Sequence, residues 1–113
     1  MIESILNSFK AMHGIDVSDT TFDNELIMFT NGALMIMTQL GVGPSTGFRI
    51  TSATETWSDF LDDRIDVDLV FSAVYNRVRL KFDPPQNAFL VTAIKEQIQE
   101  DEWRLSVQPI PGV

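Results

Sequence analysis

Apolar residues recur at helical spacing through most of this chain, and glycines and prolines cut the pattern into five segments. Ile2, Ile5, Leu6, Phe9 and Met12 predict a first helix over residues 1–13, stopped by Gly14. A polar connection over residues 15–21 follows. Thr20 or Thr21 is placed to cap a second helix, with Asp23 and Glu25 in the first turn, where the helix dipole favours acids. That helix should run to about Leu40 and end at Gly41. Residues 41–51 read as a loop in which Phe48 and Ile50 alternate as a short strand would. Ser52 and Glu55 have capping-box spacing for a short third helix to Leu61 that buries Trp57 and Phe60. A fourth helix is predicted over residues 65–81 and a fifth over 84–107. The pattern is that of an all-α bundle of four to five helices, one domain over residues 1–107. Residues 108–113, with two prolines, should form an extended C-terminal arm. No internal repeat or low-complexity segment is evident.

The corner between the last two helices is the sharpest local signal. In YNRVRLKFDPP, residues 75–85, Asp83 can cap, Pro84 suits a first helical position, and Gln86 lies three residues after Asp83. Neither Pro84 nor Pro85 can continue the preceding helix, so Asp83, Pro84 and Pro85 form a rigid helix corner. Such a corner fixes how two helices meet and carries no chemistry.

The long helices are apolar on more than one side. At about 100° per residue, Phe22, Leu26, Phe29, Ala33, Ile36, Met37 and Leu40 make the main stripe of the second helix. Met28 and Met35 lie nearly opposite, with Gly32 beside them. The fourth helix has one stripe of Val67, Val70, Phe71, Val74 and Val78, and another of Leu69, Ala73 and Leu80. In the fifth, Leu90, Val91, Ile94, Ile98 and Leu105 face inward, while Phe89 and Trp103 project elsewhere. Either the second helix runs through the middle of the bundle, or the surplus apolar surface is covered by a neighbour.

Composition narrows the classes. At 113 residues with 44% hydrophobic and 21% charged positions, the chain is a single globular domain. Its formal net charge of −8 disfavours a protein that grips nucleic acid by neutralising phosphates. An acidic wall past which a duplex slides is compatible with that charge. There are no cysteines, hence no disulfide framework and no thiolate zinc site. The opening MIESILNSFK lacks the apolar core of a secretory signal, and the apolar run 26–40 is interrupted well short of a membrane span. The expectation is a soluble protein assembled inside a cell, with no membrane association.

Catalytic constellations are hard to assemble. His13 is the only histidine and sits at a helix end, where dipole charge or simple exposure accounts for it. The acids Asp59, Asp62, Asp63, Asp66 and Asp68 lack the central glycine and terminal glutamate of a calcium loop, and capping accounts for acids near a helix start. Neither a metal nor a cofactor is expected. Arg77, Arg79 and Lys81 do not form a continuous phosphate track. Arg77 falls between two apolar stripes and should pair with a carboxylate, while Arg79 projects away with Asp68 and Ser72.

Five segments in order, MIESILNS (1–8), QLGVGP (39–44), ETWSDFL (55–61), VRLKFDPP (78–85) and EWRL (102–105), resemble the head-tail connector, or adaptor, proteins of long-tailed bacteriophages. The resemblance covers nearly the whole chain. It implies an all-helical, non-enzymatic virion protein of the neck, at the head-tail interface, assembled in the host cytoplasm. Identical subunits, generally twelve, would form a ring beneath the portal protein after DNA packaging. That ring would be a platform for the next connector, head-completion or tail-terminator protein, and DNA would pass through its lumen without sequence-specific binding. A terminal arm would reach the portal. Here Val107, Pro109, Ile110, Pro111 and Val113 are the candidates, because apolar side chains fill pockets and prolines limit the entropy lost on docking. Met28, Met35, Arg79 and Trp103 are the candidate subunit-interface residues, and Asp16, Asp19 and Asp23 loose candidates for the lumen wall. Two other classes compete: a small acidic helical protein-binding or regulatory module, and a hydrolase using paired carboxylates such as Asp59 and Asp63.

Overall fold

Five α-helices form close to where the apolar periodicity places them, in a computed structural model that describes residues 3–62 and 67–107. They are α1 (Ile5–Met12), α2 (Asp23–Gln39), α3 (Trp57–Leu61), α4 (Val67–Phe82) and α5 (Ala88–Val107). The result is the all-α bundle that the sequence leads one to expect. The arm over residues 108–113, the first residues of the expected fourth helix (65 and 66), Asp63, and Ile2 of the first stripe lie outside the described residues.

α4 is the central element, packed against both α2 and α5, and α1 packs on α2. The core gathers Ile5, Leu6 and Phe9 of α1 with Leu26, Leu34 and Met37 of α2, Trp57 and Phe60 of α3, and Val70, Val74 and Val78 of α4. Trp57 is fully buried, edge-on to Phe9 with ring centroids 5.7 Å apart, and its indole Nε1 donates to Ser8 Oγ at 3.0 Å. Phe71 and Tyr75 continue this aromatic cluster from α4.

Helix ends show where local signals hold and where tertiary contacts override them. Gly41, at φ +84°, ends α2 as expected: its N–H bonds Thr38 O and the Val42 N–H reaches Met37 O at 2.9 Å, closing a Schellman motif. Neither Thr20 nor Thr21 caps α2. The N-cap is Phe22, without a side-chain bond, and the Thr21 N–H instead meets Asp19 Oδ1. The Ser52–Glu55 pair does not open α3 either. The Glu55 carboxylate ties a turn by accepting from Ser52 N–H and Thr51 Oγ1, and the true capping box is Thr56 with Asp59. The cause is an antiparallel bridge between Ser4 and Thr56: Ile5 N–H donates to Glu55 O and Trp57 N–H to Glu3 O, each at 3.1 Å. That pairing keeps the chain extended until Trp57. No strand forms at Phe48–Ile50 among the described residues. The Asn31 side-chain amide takes both backbone groups of Ile50, at 2.8 and 3.0 Å, and stands in for a strand partner.

The corner is looser than expected. α5 starts at Ala88 rather than Pro84, because Asp83 still closes the last turn of α4 through Arg79 O. Asn87 Oδ1 takes over the cap, accepting from the N–H groups of Phe89 and Leu90. Pro84 and Pro85 lie in the connection.

Burial also departs from the simple wheel. In α2 the buried positions are Leu26, Thr30, Ala33, Leu34 and Met37, whereas Phe22 is exposed and Phe29, Ile36 and Leu40 are half-buried. The segment carrying Val42 and Ile50 folds back on α2 through Asn31, rotating the buried face toward Thr30 and Leu34. In α5, Ile94, Ile98 and Leu105 face inward as expected, but Leu90 is exposed and Val91 half-buried, since burial against α4 begins only at Ile94. Met12 is exposed at the last turn of α1.

Candidate interaction surface

α2 and α5 both lie on α4 and leave a groove above it. Met28, Phe29, Gly32, Ala33 and Ile36 of α2, Arg77, Leu80 and Lys81 of α4 and Ile98 of α5 enclose about 340 Å³. Its walls are apolar and its polar groups are cations on α4. The Arg77 guanidinium is half-buried and forks onto Glu102 of α5, Nε to Oε2 and one terminal nitrogen to Oε1 at 2.9 Å. This meets the expectation that Arg77 pairs with a carboxylate. The hydrogen bonds that Arg77 donates to Glu102 push its pKa further up. A second polar tie beside it is buried: Asp101 accepts from Ser72 Oγ and from Gln97 Nε2, each at 2.8 Å. Ser72 is therefore turned toward α5, not outward with Arg79. Position 101 keeps the inward period of Ile94, Ile98 and Leu105, which was the available sign that this aspartate is interior.

The four candidate interface residues do not converge on one patch. Met28 (61% exposed) and Met35 (53%) lie on one outer stripe of α2, and Trp103 (60%) stands on the outer face of α5. The second helix is therefore not covered all round by its own chain. Arg79 is half-buried and close enough to act on His13, away from the groove. Phe89, set apart from the inward face with Trp103 but not among the interface candidates, is 87% exposed on the first turn of α5. Its signal is the seven-residue step through Glu96 to Trp103, which puts both aromatic rings on one side of the helix. Of the arm candidates, Val107 is exposed at the end of α5, and Pro109, Ile110, Pro111 and Val113 fall outside the described residues.

The acids are mostly committed to turns. Asp16 and Asp19 are exposed, and donors in their own turns hold both carboxyls below the usual range: Ser18 N–H and Oγ for Asp16, and the Thr21 side chain and N–H for Asp19. Asp23 is turned inward instead, 2.9 Å from the Nζ of buried Lys10, which also donates to Val17 O. Among the described residues no group of three or more His, Asp or Glu is placed to hold a metal ion. Asp63 and Asp66 of the acid run lie outside them.

His13 is not the exposed helix-end residue the sequence suggests. Its side chain is 4% exposed, between the rings of Tyr75 and Phe82, with Nδ1 3.7 Å from Asp83 Oδ2 and Nε2 buried without a hydrogen-bond partner. Burial lowers its pKa below 6.5, and Asp83 only partly opposes this. The unfolded chain thus protonates first on acidification. Stability is unaffected well above pH 6.5 and falls as the pH drops through 6.5 toward the lower folded value. Melting temperatures measured from about pH 7 to pH 5 should fall less steeply in His13→Gln than in the wild type. Parallel curves for the two proteins would show that His13 does not carry the effect.

An all-helical protein with apolar surface on two separate faces and a cation-rimmed groove is a protein of contacts. The phage connector protein family model matches residues 5–110, and the chain belongs to that family. Membership gives it a general role in phage head-tail connection. No curated protein and no solved structure matches the chain. No helix of the described residues is long and apolar enough to cross a membrane.

Proposed function

We propose that this protein is a structural connector of the phage neck, non-enzymatic, whose copies form a ring under the portal and present a platform to the next head-completion or tail-terminator protein. The observation that carries this reading is the family match over residues 5–110, on a chain that leaves Met28, Met35, Phe89 and Trp103 exposed. A ring needs two different patches on each subunit, and the exposed residues of α2 and α5 supply two. The net charge of −8 fits a lumen past which DNA slides, and Asp16 and Asp19, though held in turns, are exposed acids able to face it. Electron microscopy of the purified protein mixed with its portal should show a ring, generally of twelve subunits, seated on the portal. Individual copies scattered over the portal, or no binding at all, would reject the reading.

Residues 108–113 form the portal-docking arm in this proposal, with Val107 leading into it. Deleting residues 108–113 should abolish portal binding and leave the helical circular-dichroism signal and melting temperature of the domain unchanged. Full binding by the truncated chain would remove the arm from the docking scheme.

A further inference from the structure

We infer that the groove between α2 and α5 is the seat for the outer face of α5 from a second copy of this chain. The inference rests on the ring reading above and assigns the two halves of its subunit contact. The outer face of α5 is one continuous stripe. Phe89, Glu96, Glu100 and Trp103 fall within about 60° of one another on a helix of 3.6 residues per turn, and all four are exposed. Two aromatic anchors about 21 Å apart therefore bracket two acids. The groove offers the complement: apolar walls from Met28, Phe29 and Ile36, with Arg77 and Lys81 at the rim. Lys81 is exposed and has no carboxylate partner among the described residues. In a chain of net charge −8 with only eight Lys and Arg, two of those eight border this one depression; Arg77 is already forked onto Glu102, so Lys81 is the cation open to a neighbour. Glu100 is already 3.7 Å from Arg104 of its own helix, so the attraction between copies that would otherwise repel one another is Glu96 of one against Lys81 of the next.

Gly32 gives an independent indication. It stands in the middle of α2 on the groove wall, where a Cβ would meet nothing within 4 Å. Packing within the chain gives no reason for a residue that weakens a helix interior. A missing side chain on an open groove wall lets a second backbone come close. Groove and stripe occupy different faces, so the contact is heterologous and each copy can receive one neighbour while docking on another, as a closed ring requires.

The absence of cysteine allows a clean test. Met28→Cys and Ala93→Cys, the first on the groove wall and the second beside the α5 stripe, are made in separate chains, mixed, and oxidised with and without purified portal. Disulfides joining the two different variants, on the order of tenfold above those joining like to like, are expected. Like-to-like bonds alone would overturn the heterologous pairing. A wild-type protein that forms rings, with no mixed disulfide from the variants, would overturn the groove assignment and leave the ring reading standing. A wild-type protein that forms no ring even with portal would overturn both. Gly32→Leu should keep or raise the melting temperature and weaken ring formation at least about tenfold. Ring formation by Gly32→Leu at wild-type strength would overturn the assignment.

Discussion

Trp57→Ala should remove about 3–5 kcal/mol of stability, the usual loss for truncating a fully buried large aromatic. In a domain of this size that corresponds to a fall in melting temperature of at least about 12 °C. Trp57 is the point where three parts of the chain are locked. Its backbone N–H holds Glu3 O, its ring meets Phe9 of α1 and Phe71 of α4, and its Nε1 donates to Ser8. Alanine would leave a cavity lined by those rings and orphan the Ser8 contact, while the backbone bridge to Glu3 could persist. Trp57→Phe should fall between wild type and Trp57→Ala, since it loses the donor, worth about 1 kcal/mol, but only part of the ring volume. Urea unfolding of the three proteins measures both steps. A Trp57→Ala variant within about 1 kcal/mol of wild type would mean that α1 and α3 are joined chiefly by their backbone bridge.

What the sequence made legible was the periodic part. Five helices, Gly41 as a stop, Trp57 and Phe60 as core, and Arg77 as a half-buried cation in need of a partner all follow from spacing and local chemistry. What it hid were choices made by partners distant in sequence. Thr56 displaces Ser52 as the α3 cap because Ser4 pairs with it from over fifty residues upstream. Asn87 displaces Asp83 because Asp83 is still engaged with the end of α4 and faces His13. The burial of His13 needs Tyr75 and Phe82, over sixty residues on, and that of Lys10 needs Asp23, on the next helix across a loop.

The interaction surface was legible in part, for a related reason. A wheel shows that Met28, Met35 and Trp103 leave the main stripes, and their exposure agrees. It cannot show that α2 and α5 would stand apart on α4 and open a groove, because that depends on which helix takes the central place. Lying off the apolar stripes is what places Arg79 among the interface candidates. Its actual surroundings, close to His13 on the far side from the groove, come from the docking of α1.

Gly43→Ala should destabilise the protein by about 2–5 kcal/mol, the sum of left-handed backbone strain and overpacking. Gly43 has φ +83°, and a Cβ there would drive into the Phe60 ring, with Cδ1 at 2.9 Å and the Phe60 carbonyl at 3.3 Å. Phe60 is buried and held against Phe48, so the ring has little room to yield. The segment after α2 is thereby fastened to α3, and thermal denaturation should show the loss directly. Gly32→Ala is expected to move the other way, gaining about 0.5–1 kcal/mol, because its added methyl meets open space in an ordinary helix. The opposite signs separate two reasons for a glycine. At Gly43 the reason is inside the fold, in φ and in Phe60. At Gly32 the fold supplies none, and the groove wall it leaves bare faces outward. If Gly32→Ala proved as harmful to the isolated chain as Gly43→Ala, the outward reason would lose its footing, because folding alone would then account for both.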